Sequence, residues 1–187
     1  SSYLYPGIGF GGSCFPKDLR SLEHQLRQQQ IDPRITSSVI ARNERQIEVV
    51  VDAVLDATKS QINPIVALWG ISFKPNTDDV REAPALKVAQ RLLERGVQVR
   101  ATDPIVTQAQ IDAVVGKGRV SLVESEMKAA EGADVLVLVT EWRQYRSPDF
   151  DELRALMRGN TLIDGRNQWS RRQVNAAGFI YMGIGRS

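Results

Sequence analysis

The sequence predicts an α/β protein: a Rossmann-like, doubly wound, mainly parallel six-stranded sheet that follows a helical segment. Two amphipathic stretches fill most of the first 60 residues, and from residue 62 onward short apolar runs alternate with helical stretches. That alternation is typical of a parallel sheet covered on both faces. The chain of 187 residues is 42% hydrophobic and 25% charged, as in ordinary globular proteins, and is long enough to bury a core.

Two helices are predicted before the sheet. The first begins at Pro16, because proline is favoured in a first helical turn, and three leucines between residues 19 and 26 recur at helical spacing. It fades in the glutamine run at residues 28–30. The second covers residues 33–59, where apolar residues recur every three to four positions.

The rest of the chain predicts six strands and five helices. The strands are short apolar runs at residues 65–69, 97–102, 120–123, 134–140, 161–164 and 179–182. The helices lie between and after them, at residues 83–95, 107–115, 125–131, 150–157 and 170–177. This pattern divides the chain into residues 1–60, with a glycine-rich loop and two helices, and a Rossmann-like domain at residues 61–187.

Composition argues against several classes of function. The net charge is +2, and the basic residues are mixed with acidic ones, so no nucleic-acid partner is expected. No membrane partner is expected, because no stretch approaches the roughly 20 apolar residues that a span needs. The single cysteine, Cys14, excludes an internal disulfide framework. Because no secretory signal is visible at residues 1–12, we expect a cytoplasmic location. We also expect no metal site.

The most informative segment is Gly-Phe-Gly-Gly-Ser-Cys-Phe-Pro-Lys-Asp at residues 9–18. Cys14 stands just ahead of the predicted helix start, where free amides, the helix dipole and the charge of Lys17 favour a reactive thiolate. The alternative is a small buried hydrophobe, which the surrounding glycines disfavour. Asp18 follows one helical turn later and either handles a proton or water near the thiol or stabilises the helix dipole.

Residues 9–18 resemble the catalytic-cysteine motif of the UDP-glucose/GDP-mannose dehydrogenase family. Residues 70–84, Gly-Ile-Ser-Phe-Lys-Pro-Asn-Thr-Asp-Asp-Val-Arg-Glu-Ala-Pro, resemble the loop after the first strand of the family's C-terminal domain. Residues 163–167, Ile-Asp-Gly-Arg-Asn, resemble its late strand-end motif. The three segments occur in the family's order, so the resemblance covers essentially the whole chain.

The resemblance implies oxidation of the sixth carbon of a nucleotide sugar from alcohol to carboxylate, with two hydride transfers to NAD. UDP-glucose is the expected substrate and UDP-glucuronate the product. Cys14 would be the nucleophile, forming a thiohemiacetal and then a thioester, and Asp18 would position the hydrolytic water. Lys17 and Arg81 would contact NAD. The residues implied to bind the UDP-sugar are Tyr3, Leu4, Tyr5, Pro6, Gly7, Gly11, Phe73, Lys74 and Arg166.

Other interpretations stay open. Lys74 and Arg81 fit solvated loop charges equally, and Arg166 could cap a helix or pair with Asp164. The substrate could be GDP-mannose or another nucleotide sugar. The chain could also be a UDP-sugar-binding module without catalysis, in which Cys14 is structural.

The family's N-terminal NAD-binding domain is expected to be absent from this chain. Its signature is a strand, a Gly-x-Gly-x-x-Gly turn and an acidic residue about 20 positions later. Residues 7–12 offer glycines, but no apolar strand precedes them. We therefore expect residues 61–187 to be the UDP-sugar-binding domain and the chain to be inactive alone. The resemblance also implies a homodimer through the helix at residues 33–59.

Overall fold

Two helices precede the sheet in the computed structural model, which describes residues 6–186. Helix α1 (Phe15–Gln28) has Pro16 in its first turn, and helix α2 (Arg34–Thr58) packs against it. The α2 face toward the domain is apolar, with Val50, Val51 and Val54 buried. Both helices agree with the sequence prediction to within one residue at each end.

Six strands form one sheet in the order β3-β2-β1-β4-β5-β6, and every adjacent pair is parallel. This confirms the predicted doubly wound class, and the described sheet is entirely rather than mainly parallel. The strands are β1 (Ile65–Trp69), β2 (Gln98–Thr102), β3 (Val120–Leu122), β4 (Val135–Leu138), β5 (Thr161–Asp164) and β6 (Ile180–Gly183).

Helices cover both faces of the sheet. They are α3 (Pro84–Glu94), α4 (Gln108–Val115), α5 (Glu126–Ala130), α6 (Phe150–Leu156) and α7 (Arg171–Ala176), with a short 3-10 turn at Arg143–Tyr145. One core lies between the sheet and α2, α3 and α4. The other lies beneath α5, α6 and α7 and contains an edge-to-face pair of Trp69 and Trp169. None of the helices within residues 6–186 is long and apolar enough to cross a membrane.

The strand order reverses between β1 and β4, which creates a crevice outside the carboxyl ends of these strands. Open α/β sheets bind their ligands at such a switch point. The loop after β1 spans residues 70–83, the loop after β4 begins at residue 139, and the loop after β5 begins at residue 165. These three loops, together with the segment ahead of α1, form the candidate site.

Candidate active site

The thiol loop, which we define as residues 6–14, lies over the carboxyl ends of β4 and β5. Its anchor is Ile8, of which only 1% is exposed. A Cβ placed on Gly165, the residue after β5, would lie 2.6 Å from Cγ2 of Ile8. The Gly165 N–H donates to the carbonyl of Leu138, the last residue of β4. The thiol loop thus lies at the edge of the sheet where open α/β sheets bind their ligands.

Two polar side chains of α2 hold the backbone of the thiol loop. Asn43 accepts a hydrogen bond from the Phe10 N–H at 2.8 Å and donates one to the Phe10 carbonyl at 3.1 Å. Gln46 donates to the Gly7 carbonyl at 3.0 Å. Neither Asn43 nor Gln46 belongs to a motif that is recognisable in the sequence. The available signal was a pair of amide side chains three residues apart on the side of an amphipathic helix that also carries Ile47 and Val50.

The loop after β1 contacts the thiol loop from the other side. The Gly12 N–H donates to the Arg81 carbonyl at 2.9 Å. Gly12 has a φ of +88°, and a Cβ there would lie 2.9 Å from the Phe73 ring. At Gly11 a Cβ would lie 2.3 Å from the Glu82 carbonyl oxygen. Gly11 requires glycine because a Cβ would meet the backbone of the β1 loop, and Gly12 requires it because of its positive φ and the adjacent Phe73 ring.

Cys14 is exposed and occupies the N-cap position of α1. Its carbonyl accepts the first intrahelical bond, from the Asp18 N–H at 2.8 Å, while its side chain makes no capping bond. The Ser13 hydroxyl lies 3.6 Å from the sulfur. Cys14 is therefore accessible to a ligand and stands at the start of α1.

The two charged residues that follow the thiol face solvent. Lys17 Nζ lies 3.2 Å from an Asp18 carboxylate oxygen, and the side chains are 72% and 66% exposed. An ion pair this exposed contributes about 0–1 kcal/mol. Both groups are available to a ligand that reaches the thiol.

Arg81 forms a bidentate pair with Asp79, with Nε–Oδ1 and Nη2–Oδ2 distances of 2.9 and 2.8 Å. Hydrogen bonding to Asp79 raises the pKa of Arg81, and the nearby Cys14 adds a smaller contribution in the same direction. The Arg81 side chain remains 69% exposed. The structure therefore brings a cation of the β1 loop to the neighbourhood of the thiol.

Phe73 and Lys74 lie at the start of the same loop. Phe73 is half-buried against Gly12, and Lys74 Nζ lies 5.3 Å from the centre of the Phe73 ring. Lys74 is otherwise exposed. The aromatic face and the ammonium group thus form one surface next to the thiol loop.

Arg166 reaches the thiol loop from the end of β5. A Cβ on Gly7 would lie 2.5 Å from Arg166 Nη1. The guanidinium pairs with Glu141. It does not pair with Asp164, which is one of the alternatives that the sequence allows. The buried Asp164 carboxylate instead accepts the Arg166 and Trp169 backbone N–H groups at 3.1 and 2.7 Å.

The Asp164 carboxylate also accepts the Tyr181 hydroxyl at 3.1 Å. Burial and the Asp164 charge raise the pKa of Tyr181 to about 12. Tyr181 therefore remains a hydrogen-bond donor through the neutral range. The Tyr181–Asp164 hydrogen bond therefore helps to hold the start of the loop that carries Arg166.

An ion-pair cluster joins α1 to the β1 loop. Glu82 lies 2.9 Å from Arg20 and 3.0 Å from Lys87, and Lys87 lies 2.7 Å from Glu44 of α2. Hydrogen bonds from Arg20 and Lys87 lower the pKa of Glu82 to about 2. Glu82 itself has a φ of +52°. No local pattern predicts this cluster, because its paired residues are up to 62 positions apart.

Three predicted substrate residues, Tyr3, Leu4 and Tyr5, lie outside the described residues. Pro6 begins the described chain and is exposed. Within residues 6–186, no group of three or more histidine, cysteine, aspartate or glutamate side chains is placed to hold a metal ion.

Both parts of the chain match models of one protein family. Residues 67–171 match the model for the UDP-binding domain of the UDP-glucose/GDP-mannose dehydrogenase family, and residues 1–45 match the model for its central domain. UDP-glucose 6-dehydrogenase of Pseudomonas aeruginosa is 46% identical over 98% of this chain and 42% of that protein. UDP-glucose 6-dehydrogenase TuaD of Bacillus subtilis is 36% identical over 98% of this chain and 40% of that protein.

Solved structures show the same similarity. A UDP-glucose dehydrogenase from Pyrobaculum islandicum superposes with a TM-score of 0.81 at 32% identity, covering 97% of this chain and 39% of that one. A ternary complex of GDP-mannose dehydrogenase from Pseudomonas aeruginosa superposes with a TM-score of 0.75 at 26% identity, covering 98% and 41%. The chain therefore spans about two fifths of the length of the relatives that it matches.

Proposed function

Because the chain belongs to the UDP-glucose/GDP-mannose dehydrogenase family, we propose that it is the thiol-bearing and UDP-sugar-binding part of an NAD-dependent UDP-glucose 6-dehydrogenase. The reaction proposed is oxidation of UDP-glucose to UDP-glucuronate with two NAD. The observation that carries the proposal is the contact between the thiol loop and two loops of the UDP-binding domain. Arg81 and Arg166 are the residues at these contacts.

Cys14 is the proposed nucleophile. After the first oxidation, its thiolate adds to the C6 aldehyde, the C–S bond forms, and the carbonyl oxygen takes up a proton to give a thiohemiacetal. The second oxidation removes a hydride and a proton from this adduct and leaves a thioester. Water then attacks the thioester carbonyl, the C–S bond breaks, and the thiolate and carboxylate are released. Asp18, one turn along α1, is proposed to position that water.

NAD, when bound, accepts the hydride of each oxidation. The donor set around the thiol suits its diphosphate, since Lys17 and Arg81 are both about 70% exposed and belong to the two elements that meet at Cys14. We propose that these two cations contact the phosphates. Residues 6–14 form no strand, so we propose that the dinucleotide fingerprint is not in this segment and that residues 1–187 do not catalyse oxidation alone.

The proposed UDP-sugar site lies where the thiol loop crosses the carboxyl ends of β1, β4 and β5. Phe73 offers an aromatic face, while Lys74 and Arg166 offer positive charge to a diphosphate. We assign residues 61–187 to this UDP-sugar-binding domain and residues 1–60 to the thiol loop and central helices. The remaining residues proposed to line the site are Tyr3, Leu4, Tyr5, Pro6, Gly7 and Gly11.

A homodimer through α2 is part of the proposal. Ile35 is 80% exposed, and Val39 and Val49 are also exposed on this helix. An open groove of about 570 Å³ runs beside the first half of α2 and is lined by Phe10, Ile35 and Val39, among others. An apolar surface of this kind is typical of a protein interface.

Alkylation of the single cysteine tests the proposed site. We expect UDP-glucose to slow the reaction of Cys14 with iodoacetamide, because a sugar bound beside the thiol blocks access to the sulfur. Lys74→Ala should weaken this protection. The matched control is Lys117→Ala, which removes an exposed lysine from the turn between α4 and β3, at the opposite edge of the sheet.

The two nucleotide bases separate the substrate alternatives. Protection by UDP-glucose but not by an equal concentration of GDP-mannose supports the proposal. Stronger protection by GDP-mannose would favour the GDP-sugar alternative. If neither nucleotide sugar changes the alkylation rate, the sugar site is not next to Cys14 and the proposal is wrong.

A further inference from the structure

Three consecutive residues after β4 each bind a loop that follows a different strand. The Thr140 hydroxyl donates to the Ser72 carbonyl in the loop after β1, at 2.5 Å. The Trp142 indole N–H donates to Asp103, after β2, at 3.2 Å. Glu141, between them, pairs with Arg166 after β5. We call residues 140–142 the β4 clamp.

The two residues of the β4 clamp that flank Glu141 are buried. Thr140 is 2% exposed and Trp142 is 7% exposed. Asp103, the partner of Trp142, also accepts the backbone N–H groups of Ile71 and Ser72 at 2.8 and 3.1 Å. The backbone of Glu141 therefore cannot shift without breaking bonds to two other loops.

The Glu141 carboxylate occupies one edge of the Arg166 guanidinium. One oxygen accepts a hydrogen bond from Nη2 at 2.7 Å, whereas the other lies 2.7 Å from Nε without the geometry of a hydrogen bond, and each side chain is only 21% exposed. Nη1 lies on the opposite side, against Gly7 of the thiol loop. A guanidinium has five N–H donors in a rigid fork, so the edge formed by Nη1 and the second Nη2 hydrogen remains available to a ligand.

We propose that Glu141 is a positioning residue that holds Arg166 with its free edge toward the UDP-sugar. This inference rests on the proposed function, in which Arg166 contacts the UDP-sugar. Free arginine side chains populate many rotamers, and a ligand must otherwise order them on binding. The clamp supplies that order in advance. In this role Glu141 acts through Arg166 alone.

The alternative role for Glu141 is competition, in which its carboxylate occupies Arg166 until a ligand displaces it. The two roles predict opposite effects of Glu141→Gln, which keeps the size of the side chain and removes its charge. Positioning predicts weaker binding of UDP-glucose, by about two- to tenfold, the cost of ordering one long side chain. Competition predicts tighter binding, because the cation is no longer neutralised.

Calorimetric titration of the 187-residue chain with UDP-glucose tests the inference. Affinities are needed for the wild type, Glu141→Gln, Arg166→Gln and the double variant. If Glu141 acts through Arg166, the single substitution Glu141→Gln weakens UDP-glucose binding. The same substitution then has no further effect on the affinity of Arg166→Gln. A general structural role would weaken binding in both backgrounds and would overturn the inference.

The matched control is Arg158→Gln. Arg158 forms a bidentate pair with Asp134, but that pair lies at the amino-terminal edge of the sheet, ahead of β4. Its loss should lower the melting temperature without changing the UDP-glucose affinity. Equal weakening by Arg158→Gln and Glu141→Gln would show that destabilisation is the cause and would overturn the inference.

The outcomes also separate this inference from the proposed function. No binding of UDP-glucose by the wild-type chain would remove the proposed site and, with it, the role of Glu141. Wild-type binding that Glu141→Gln leaves unchanged or strengthens would remove the role of Glu141 alone.

Discussion

Replacing Asn43 by alanine should release the thiol loop from α2. The Asn43 side chain makes two hydrogen bonds to the Phe10 backbone, at 2.8 and 3.1 Å, and both are partly buried. A hydrogen bond of this type contributes about 0.5–1.5 kcal/mol, so the pair is worth about 1–3 kcal/mol. Since 1.4 kcal/mol is a factor of ten in an equilibrium constant, the population of the open loop should rise by roughly 5- to 150-fold.

Amide hydrogen exchange measures that opening directly. The protection factor of the Phe10 amide should fall by this factor in Asn43→Ala, and Cys14 should react faster with iodoacetamide because it lies in the same loop. Asn43→Asp keeps the acceptor for the Phe10 N–H but loses the donor, and it should expose the loop as well. Asn175→Ala, at an exposed position of α7, is the control. Unchanged protection of Phe10 in Asn43→Ala would refute the assignment of Asn43 as the anchor.

Three further predictions concern stability and association. Glu82 has its pKa lowered to about 2, so its ion pairs stabilise the fold fully above about pH 4.5 and are lost as the pH falls toward 2. Glu82→Gln should therefore lower the free energy of unfolding in urea by about 1–2 kcal/mol at pH 6, a figure reduced for the solvent exposure of the pairs. The loss should be smaller at pH 3, and an equal loss at both pH values would contradict this. Gly12→Val should lower the free energy of unfolding by about 2 kcal/mol or more, because the valine side chain would collide with the Phe73 ring and the backbone φ is +88°. A melting temperature equal to that of the wild type would argue against this contact. Ile35→Asp should shift sedimentation toward the monomer, whereas a wild-type chain that is monomeric at high concentration would exclude the α2 dimer.

The order of helices and strands could be predicted from the sequence because it follows from local patterns. The runs at residues 65–69 and 161–164 form strands at the predicted bounds. The fourth strand is two residues shorter at its carboxyl end than predicted. There the Val139 and Thr140 N–H groups both donate to the Trp69 carbonyl, and the Thr140 side chain turns to Ser72. Apolar character alone does not reveal that turn, because it depends on a neighbouring strand.

The polar anchors of the site could not be predicted in the same way. Asn43 acts on a residue 33 positions away, and Glu141 acts on one 25 positions away. Neither residue lies in a motif with a mechanism of its own, and each is an ordinary polar residue in its local context. Cys14 belongs to a glycine-rich loop, which is recognisable without knowledge of the fold. Arg81 is implied only by the resemblance of residues 70–84 to the family's loop.

Arg166 is held more firmly than the two cations proposed to contact NAD. Lys17 and Arg81, proposed to contact NAD, pair with carboxylates while remaining 72% and 69% exposed. Exposed pairs contribute about 0–1 kcal/mol and weaken with salt, so a cofactor phosphate can replace the carboxylate at small cost. Arg166, proposed to contact the UDP-sugar, is only 21% exposed and is held on the β4 clamp. In the proposed site, Arg166 is therefore preorganised, whereas Lys17 and Arg81 can rearrange around a cofactor phosphate.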